Sequence, residues 1–125
     1  MTPTQAVHEI VRGWEQSDPD AIAAIFAEGG VFDDPLQPRR RTGPRDIREA
    51  CAGGIAAIRD CHIAIHSLVV SGDTAFAEGK FCSVLAADGA RFDFPFVMIV
   101  DMKDGKVTRL AEYFDTRPLR DGTSA

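Results

Sequence analysis

The chain has 125 residues, enough for one domain that buries roughly two thirds of its unfolded surface around a single core. Its 45% hydrophobic and 26% charged residues are ordinary for a globular protein, and no apolar run approaches the ~20 residues that span a bilayer. A net charge of −5 argues against nucleic acid as the main partner, because phosphate binding needs a basic face.

The start, Met1-Thr2-Pro3-Thr4, lacks the basic-then-apolar order of a signal peptide, so the cytoplasm is the expected compartment. Val7, Ile10, Val11 and Trp14 then form one helical stripe and predict a helix over about 4–16, with Thr2 or Thr4 as its cap. Asp18-Pro19 restarts a helix, with Asp18 at the N-cap and Pro19 at the first helical position. Ile22, Ile25 and Phe26 give it an apolar face, and Glu28-Gly29-Gly30 is expected to stop it.

Val31 to about Asp34 reads as a short strand. Its two adjacent acids are the most informative feature of the chain, because alternate strand residues face opposite sides. Phe32 and Asp34 share a face, so Asp34 is the acid beside an aromatic. An acid on an inner face costs several kcal/mol unless it is paired, hydrogen-bonded or protonated. Asp34 is therefore the candidate for a raised pKa, as a general base near neutral pH requires. The competing reading places both acids at a strand end and turn, ahead of Pro35. Arg39-Arg40-Arg41, in the loop after Pro38, is either a solvated run or a neutraliser for the acids at 33 and 34.

Thr42-Gly43-Pro44 opens a third helix, in which Ile47, Ala50, Cys51, Ile55 and Ile58 can share a face. Gly53-Gly54 weakens that helix or ends it early. Four strands follow, at about 61–70, 74–85, 91–102 and 107–115. They are separated by the short glycine-containing turns Ser71-Gly72-Asp73, Ala87-Asp88-Gly89 and Lys103-Asp104-Gly105. Helices gathered before an antiparallel meander predict an α+β fold, with three N-terminal helices packed on one face of a curved, mainly antiparallel sheet. The tail after Pro118 is polar and expected to fray, leaving an ordered core of about 5–117. Cys51, Cys61 and Cys82 lie in apolar stretches without ligand-like spacing, and read as core thiols. His62 and His66 share a strand face with Ala64, Leu68 and Val70. At ~13 Å apart they are too distant to hold one metal ion. No metal or organic cofactor is expected.

Along 91–102, Phe92, Phe94, Phe96, Met98 and Val100 form a nearly continuous apolar lining, which suits either a sheet–helix core or a pocket. On the last strand, Thr108, Leu110, Glu112 and Phe114 share a face. If that face turns inward, Glu112 and Asp34 become two carboxyl groups in one apolar site, and repulsion raises at least one pKa. The alternative for Glu112 is a surface acid paired with an arginine.

These elements resemble the nuclear-transport-factor-2-like superfamily, in its SnoaL-like and ketosteroid-isomerase-like branches. The resemblance rests on Ile25-Phe26-Ala27-Glu28, Val31-Phe32-Asp33-Asp34-Pro35, Thr42-Gly43 with Ile47, and Asp104-Gly105-Lys106-Val107 leading to Tyr113-Phe114. It spans about residues 5–117 and implies a cone-shaped fold. It also implies that Asp34, just before a proline, stands at the isomerase's general base. Trp14 then falls at or near that enzyme's helix-one tyrosine, and Met98 near its protonated aspartate. By similarity to limonene-epoxide hydrolase, Glu112 stands at a final-strand aspartate and Asp34 at an asparagine, while Gly79-Lys80-Phe81 lacks that enzyme's Arg-x-Asp pair. The expected activity is a cofactor-independent isomerase or cyclase acting on a small apolar carbonyl compound. Asp34 and Glu112 are its expected catalytic residues, with Trp14, Phe32, Phe94, Phe96, Met98, Leu110 and Phe114 shaping the cavity. The alternatives are a non-catalytic binding or dimerisation module, or a diverged epoxide hydrolase. The resemblance further implies a homodimer through the sheet, where Val97 and Ile99 face outward.

Overall fold

Thr2, rather than Thr4, starts the first helix. Its hydroxyl accepts the Gln5 backbone N–H at 3.2 Å while the Gln5 side chain accepts the Thr2 N–H at 2.8 Å, a reciprocal cap. In this computed structural model, which describes residues 1–120, helix α1 runs Pro3–Glu15 and buries the stripe Val7, Ile10 and Val11. Asp18 caps α2 (Pro19–Ala24) by accepting the Ala21 N–H at 3.0 Å.

Helix α2 is shorter than its apolar spacing predicts. Phe26, expected on its face, instead begins β1 (Phe26–Asp33). The cause is tertiary: the Ile25 carbonyl accepts the Val107 N–H at 2.9 Å, so the last strand captures this segment. Gly29-Gly30 is likewise no helix stop. Between Phe26 and Val31 the strand bulges while its partner advances only from Val107 to Arg109. A Cβ at Gly30 would come within 2.8 Å of the Val107 carbonyl oxygen, so the bulge needs glycine.

A two-residue strand, β2 (Arg41–Thr42), follows the loop and pairs with β1. Helix α3 (Pro44–Ala56) runs through Gly53-Gly54 without breaking, against expectation. Gly54 serves close approach instead, since a Cβ there would lie 2.8 Å from the Trp14 indole. Ile58, expected on the α3 face, opens β3 (Ile58–Ser71), which β4 (Thr74–Leu85), β5 (Arg91–Lys103) and β6 (Lys106–Phe114) follow as a meander. The sheet order is β2-β1-β6-β5-β4-β3, antiparallel throughout except for the parallel β1–β6 pair. The fold is thus α+β on a six-stranded mixed sheet.

Irregularities in β3 reset its alternation. Its pairing with β4 shifts between Arg59 and His62 and again between Ile65 and Ser67, so Leu68 packs on the core while His62 and His66 are exposed. The expectation that Leu68 shares their face is thereby corrected.

Three helices precede the meander, and a fourth, α4 (Arg117–Arg120), follows it. Residues 119 and 120 of the tail expected to fray fall in α4, and residues 121–125 of it lie outside the described residues. Helix α1 packs on β3, β4 and β5, and α3 on β1, β2 and β3. Between them lies a core containing Ile10, Ile22, Ile47, Phe32, Val100 and Leu110, each at most 2% exposed. Among the described residues no helix is long and apolar enough to cross a membrane.

Candidate functional site

The cavity and its acids follow from strand register. In the parallel β1–β6 pair, Phe32 sits opposite Leu110 and Asp33 opposite Ala111. The next rung brings Asp34 beside Glu112. Alternation then sorts the two β1 acids to opposite sides of the sheet. Asp33 lies on the outer side, where Arg40 grips it through two contacts of 2.8 Å and Arg109 through one of 3.2 Å. These cations hold the Asp33 carboxyl below its ordinary pKa. Asp34 lies on the concave side, at the wall of a cavity of about 200 Å³. The arginine run therefore neutralises Asp33 and, through Arg39 and Arg41, Asp46, but does not pair with Asp34.

The Asp34 carboxylate accepts the Leu36 N–H at 2.7 Å, and its backbone carbonyl accepts the Gln37 N–H at 3.1 Å. That turn holds the acid inward. Its pKa is raised, because burial outweighs the Leu36 N–H and a hydrogen bond from Glu112, both of which favour the ionised form. The Glu112 carboxyl is pushed well above its ordinary value, first by burial and then by the charge and hydrogen bond of Asp34. Of the two, Glu112 is the carboxyl whose protonated form the site favours more, as the donor to the Asp34 carboxylate. Behind them, the Cys51 thiol of α3 is buried and pushed up to about 12, by burial and by the charges of Glu112 and Asp34. It is a core thiol, as its apolar surroundings in the sequence imply.

The floor of the cavity is a phenylalanine ladder. Phe114 of β6 stacks on Phe94 of β5 at 4.3 Å, and Phe94 on Phe81 of β4 at 5.1 Å, with planes within 16° and 7° of parallel. Those separations bracket the ~4.8 Å strand spacing, so the rings stack along the inter-strand direction with their edges toward the cavity. Trp14 of α1 stands at 82° to Phe81 and closes one side.

Of the residues the sequence singles out, Trp14, Asp34, Phe94, Phe96, Met98, Glu112 and Phe114 line this cavity. Phe32 and Leu110 do not. At 2% and 1% exposed they pack in the hydrophobic core instead. Sequence reasoning missed Leu36, Ile63, Phe81 and Leu119 in the lining. Phe81 was findable, since Ala75, Ala77, Gly79 and Phe81 alternate along β4. Leu36 sits in a loop and Leu119 in a four-residue helix, and neither position carries a periodic signal. The described lining residues include no Lys, Arg or His to anchor a phosphate or carboxylate ligand, and no group of three described His, Cys, Asp or Glu residues is arranged to hold a metal ion.

Residues 7–110 match the model of the SnoaL-like domain. No curated protein matches the chain. Among solved structures, the chain is similar to a ketosteroid-isomerase-like protein of Catenulispora acidiphila in complex with trimethylamine, with TM-score 0.88 and 20% identity over 99% of this chain and 95% of that one. It is also similar to TerC co-crystallised with polyporic acid, with TM-score 0.83 and 19% identity over 98% of each chain. An epoxide hydrolase of M. tuberculosis of the LEH-like type gives TM-score 0.77 and 18% identity over 96% of this chain and 87% of that one.

Proposed function

This chain belongs to the SnoaL-like domain family, and we propose that it binds a small apolar carbonyl compound and moves a proton within it, as a cofactor-independent isomerase or cyclase. One observation carries this reading: among the described residues, the only ionisable side chains lining an otherwise apolar cavity are a hydrogen-bonded carboxyl pair with both pKa values raised. Asp34, the ionised member, takes a proton from the carbon next to the carbonyl. Glu112, the protonated member, turns its O–H to the carbonyl oxygen and stabilises the enolate, or hands over its proton to give the enol. Return of a proton from Asp34 to a second carbon completes an isomerisation; attack of the enolate carbon on a second carbonyl carbon of the same molecule opens that C=O π bond, whose oxygen takes the proton from Asp34, and gives a ring bearing a hydroxyl. Glu112 lies opposite Met98 in the β5–β6 register. It therefore offers a carboxylic acid next to the position where the resemblance to ketosteroid isomerase expects one.

A second reading is ligand binding without chemistry. It is favoured by the scarcity of donors, since among the described lining residues Trp14 supplies the only side-chain N–H. Thermal stability against steroids, cyclic ketones, epoxides and aromatic polyketides separates the readings when followed by turnover assays. A ligand at 100 times its Kd adds about 2.7 kcal/mol. The catalytic reading requires a stabilising ligand that is also converted, with conversion lost in Asp34→Asn; a ligand that stabilises both forms and is never converted leaves the binding role alone.

The partner proposed for the convex face is a second copy of this chain. Val69, Phe76, Ile99 and Ala111 are register partners and make one apolar row across four strands, with Val97 and Tyr113 exposed beside it. Two such faces related by a twofold axis would cover each other. Light scattering at micromolar concentration should give a dimer mass, reduced to monomer by Phe76→Lys; a monomeric wild type overturns this.

A further inference from the structure

The acid pair is set by a single parallel register, and that register is short. After the bulge, β1 and β6 share only the three rungs Val31–Arg109, Phe32–Leu110 and Asp33–Ala111 before Asp34 and Glu112 follow. Parallel pairs are also slightly less stable per residue than antiparallel ones. A slip of one residue would move Asp34 about 3.3 Å along the strand and turn it to the other face. Contacts beyond the ladder can reinforce that register.

The outer face supplies them. Asp33 of β1 accepts from Arg109 of β6 at 3.2 Å and from both ends of the Arg40 guanidinium at 2.8 Å. Arg109 continues the chain toward Asp101 of β5 at 3.9 Å, and Asp101 accepts from Thr74 of β4 at 2.6 Å. Charged contacts therefore run from the loop after β1 across β1, β6, β5 and β4, on the side of the sheet away from the cavity. The planar Arg109 fork is suited to fixing a strand offset, since it bonds in one orientation.

We propose that Asp33 and Arg109 are positioning residues, a register lock on the outer face that holds Asp34 against Glu112 on the inner one. This rests on the reading of Asp34 and Glu112 as a working pair, and it explains why two acids adjoin in β1: one is structural and the other faces the cavity. Besides each other, the pair faces the titratable Cys51 thiol behind it; across the sheet lie Asp33, Arg40 and Arg109, with the Tyr113 hydroxyl beside Arg109.

Substitution at Arg109 separates positioning from plain electrostatics, because there the two effects differ in sign. If only charge mattered, Asp33→Asn would remove a negative neighbour and lower the titration midpoint of Glu112, whereas Arg109→Gln would remove a positive one and raise it. If the lock sets the register, both variants separate the carboxyl groups and both lower that midpoint, by about one pH unit or more, the scale on which such pairs couple. The measurement is a carbon-13 NMR titration of the side-chain carboxyls in the free protein, with backbone shifts of β4 and β5 confirming that each variant stays folded. Parallel downward shifts support the lock; opposite shifts, or none, overturn it. Since no turnover is needed, the lock can stand or fall apart from the catalytic reading. Opposite shifts together with loss of conversion in Asp34→Asn would remove the lock and leave the chemistry. Parallel shifts in a protein that converts nothing would do the reverse.

Discussion

Replacing Glu112 by glutamine should make the protein more stable at neutral pH, and increasingly so as pH rises. The glutamine amide can donate to Asp34 as the protonated acid does, but it cannot ionise. In the wild type, Glu112 is raised well above 4.5 in the folded state by burial and by Asp34. Its stabilising contribution is therefore fully present below the unfolded pKa and is lost as pH rises through the folded one. Between those two points the folded state holds one more proton than the unfolded, so wild-type stability falls by about 1.4 kcal/mol per pH unit relative to the variant. Urea unfolding at pH 4.5, 5.5 and 6.5 measures this directly. The wild-type and Glu112→Gln curves should nearly coincide at the lowest pH and diverge by roughly that slope. Curves that stay parallel across the range would refute the raised pKa of Glu112, and with it the assignment of Glu112 as the acid.

Other substitutions probe the walls of the cavity. Phe94→Ala removes the central rung of the ladder, a ring 6% exposed that stacks on three others. It should cost about 3–5 kcal/mol in chemical denaturation, and a loss under 1 kcal/mol would mean that the rings are loosely packed. Gly54→Ala brings a methyl within 2.8 Å of the Trp14 indole, a side chain that can move. Trp14 fluorescence and ligand affinity should change while stability shifts by no more than about 1 kcal/mol; an unchanged spectrum would deny the contact. Gly79→Ala meets the Ala64 carbonyl oxygen at 2.1 Å, a backbone atom, and should cost more than 2 kcal/mol by thermal melting on the scale of core overpacking; a neutral effect would place β3 farther away.

Sequence periodicity carried the meander and the inward face of β5, because period two survives wherever a strand is regular. It failed where strands are irregular. The Gly29-Gly30 bulge reads as a helix stop, and the shifts in β3 move Leu68 away from the histidines. Asp34 and Glu112 were each legible as an acid sharing a strand face with apolar residues, yet their meeting depends on the parallel β1–β6 register, a non-local pairing that no local pattern encodes. Phe32 and Leu110 share the face of Asp34 and Glu112 but pack in the core rather than at the cavity. Face follows from alternation; whether an inward residue meets the cavity or the core depends on tertiary packing that alternation does not encode.

The most direct test of the central claim is proton exchange at carbon. Ketones and enones that stabilise the protein should be incubated with it in heavy water, and deuterium uptake next to the carbonyl followed by proton NMR. The wild type should catalyse uptake and Asp34→Asn should not, while both bind. A bound ketone that gains no deuterium, or gains it equally with both proteins, would contradict Asp34 as the base.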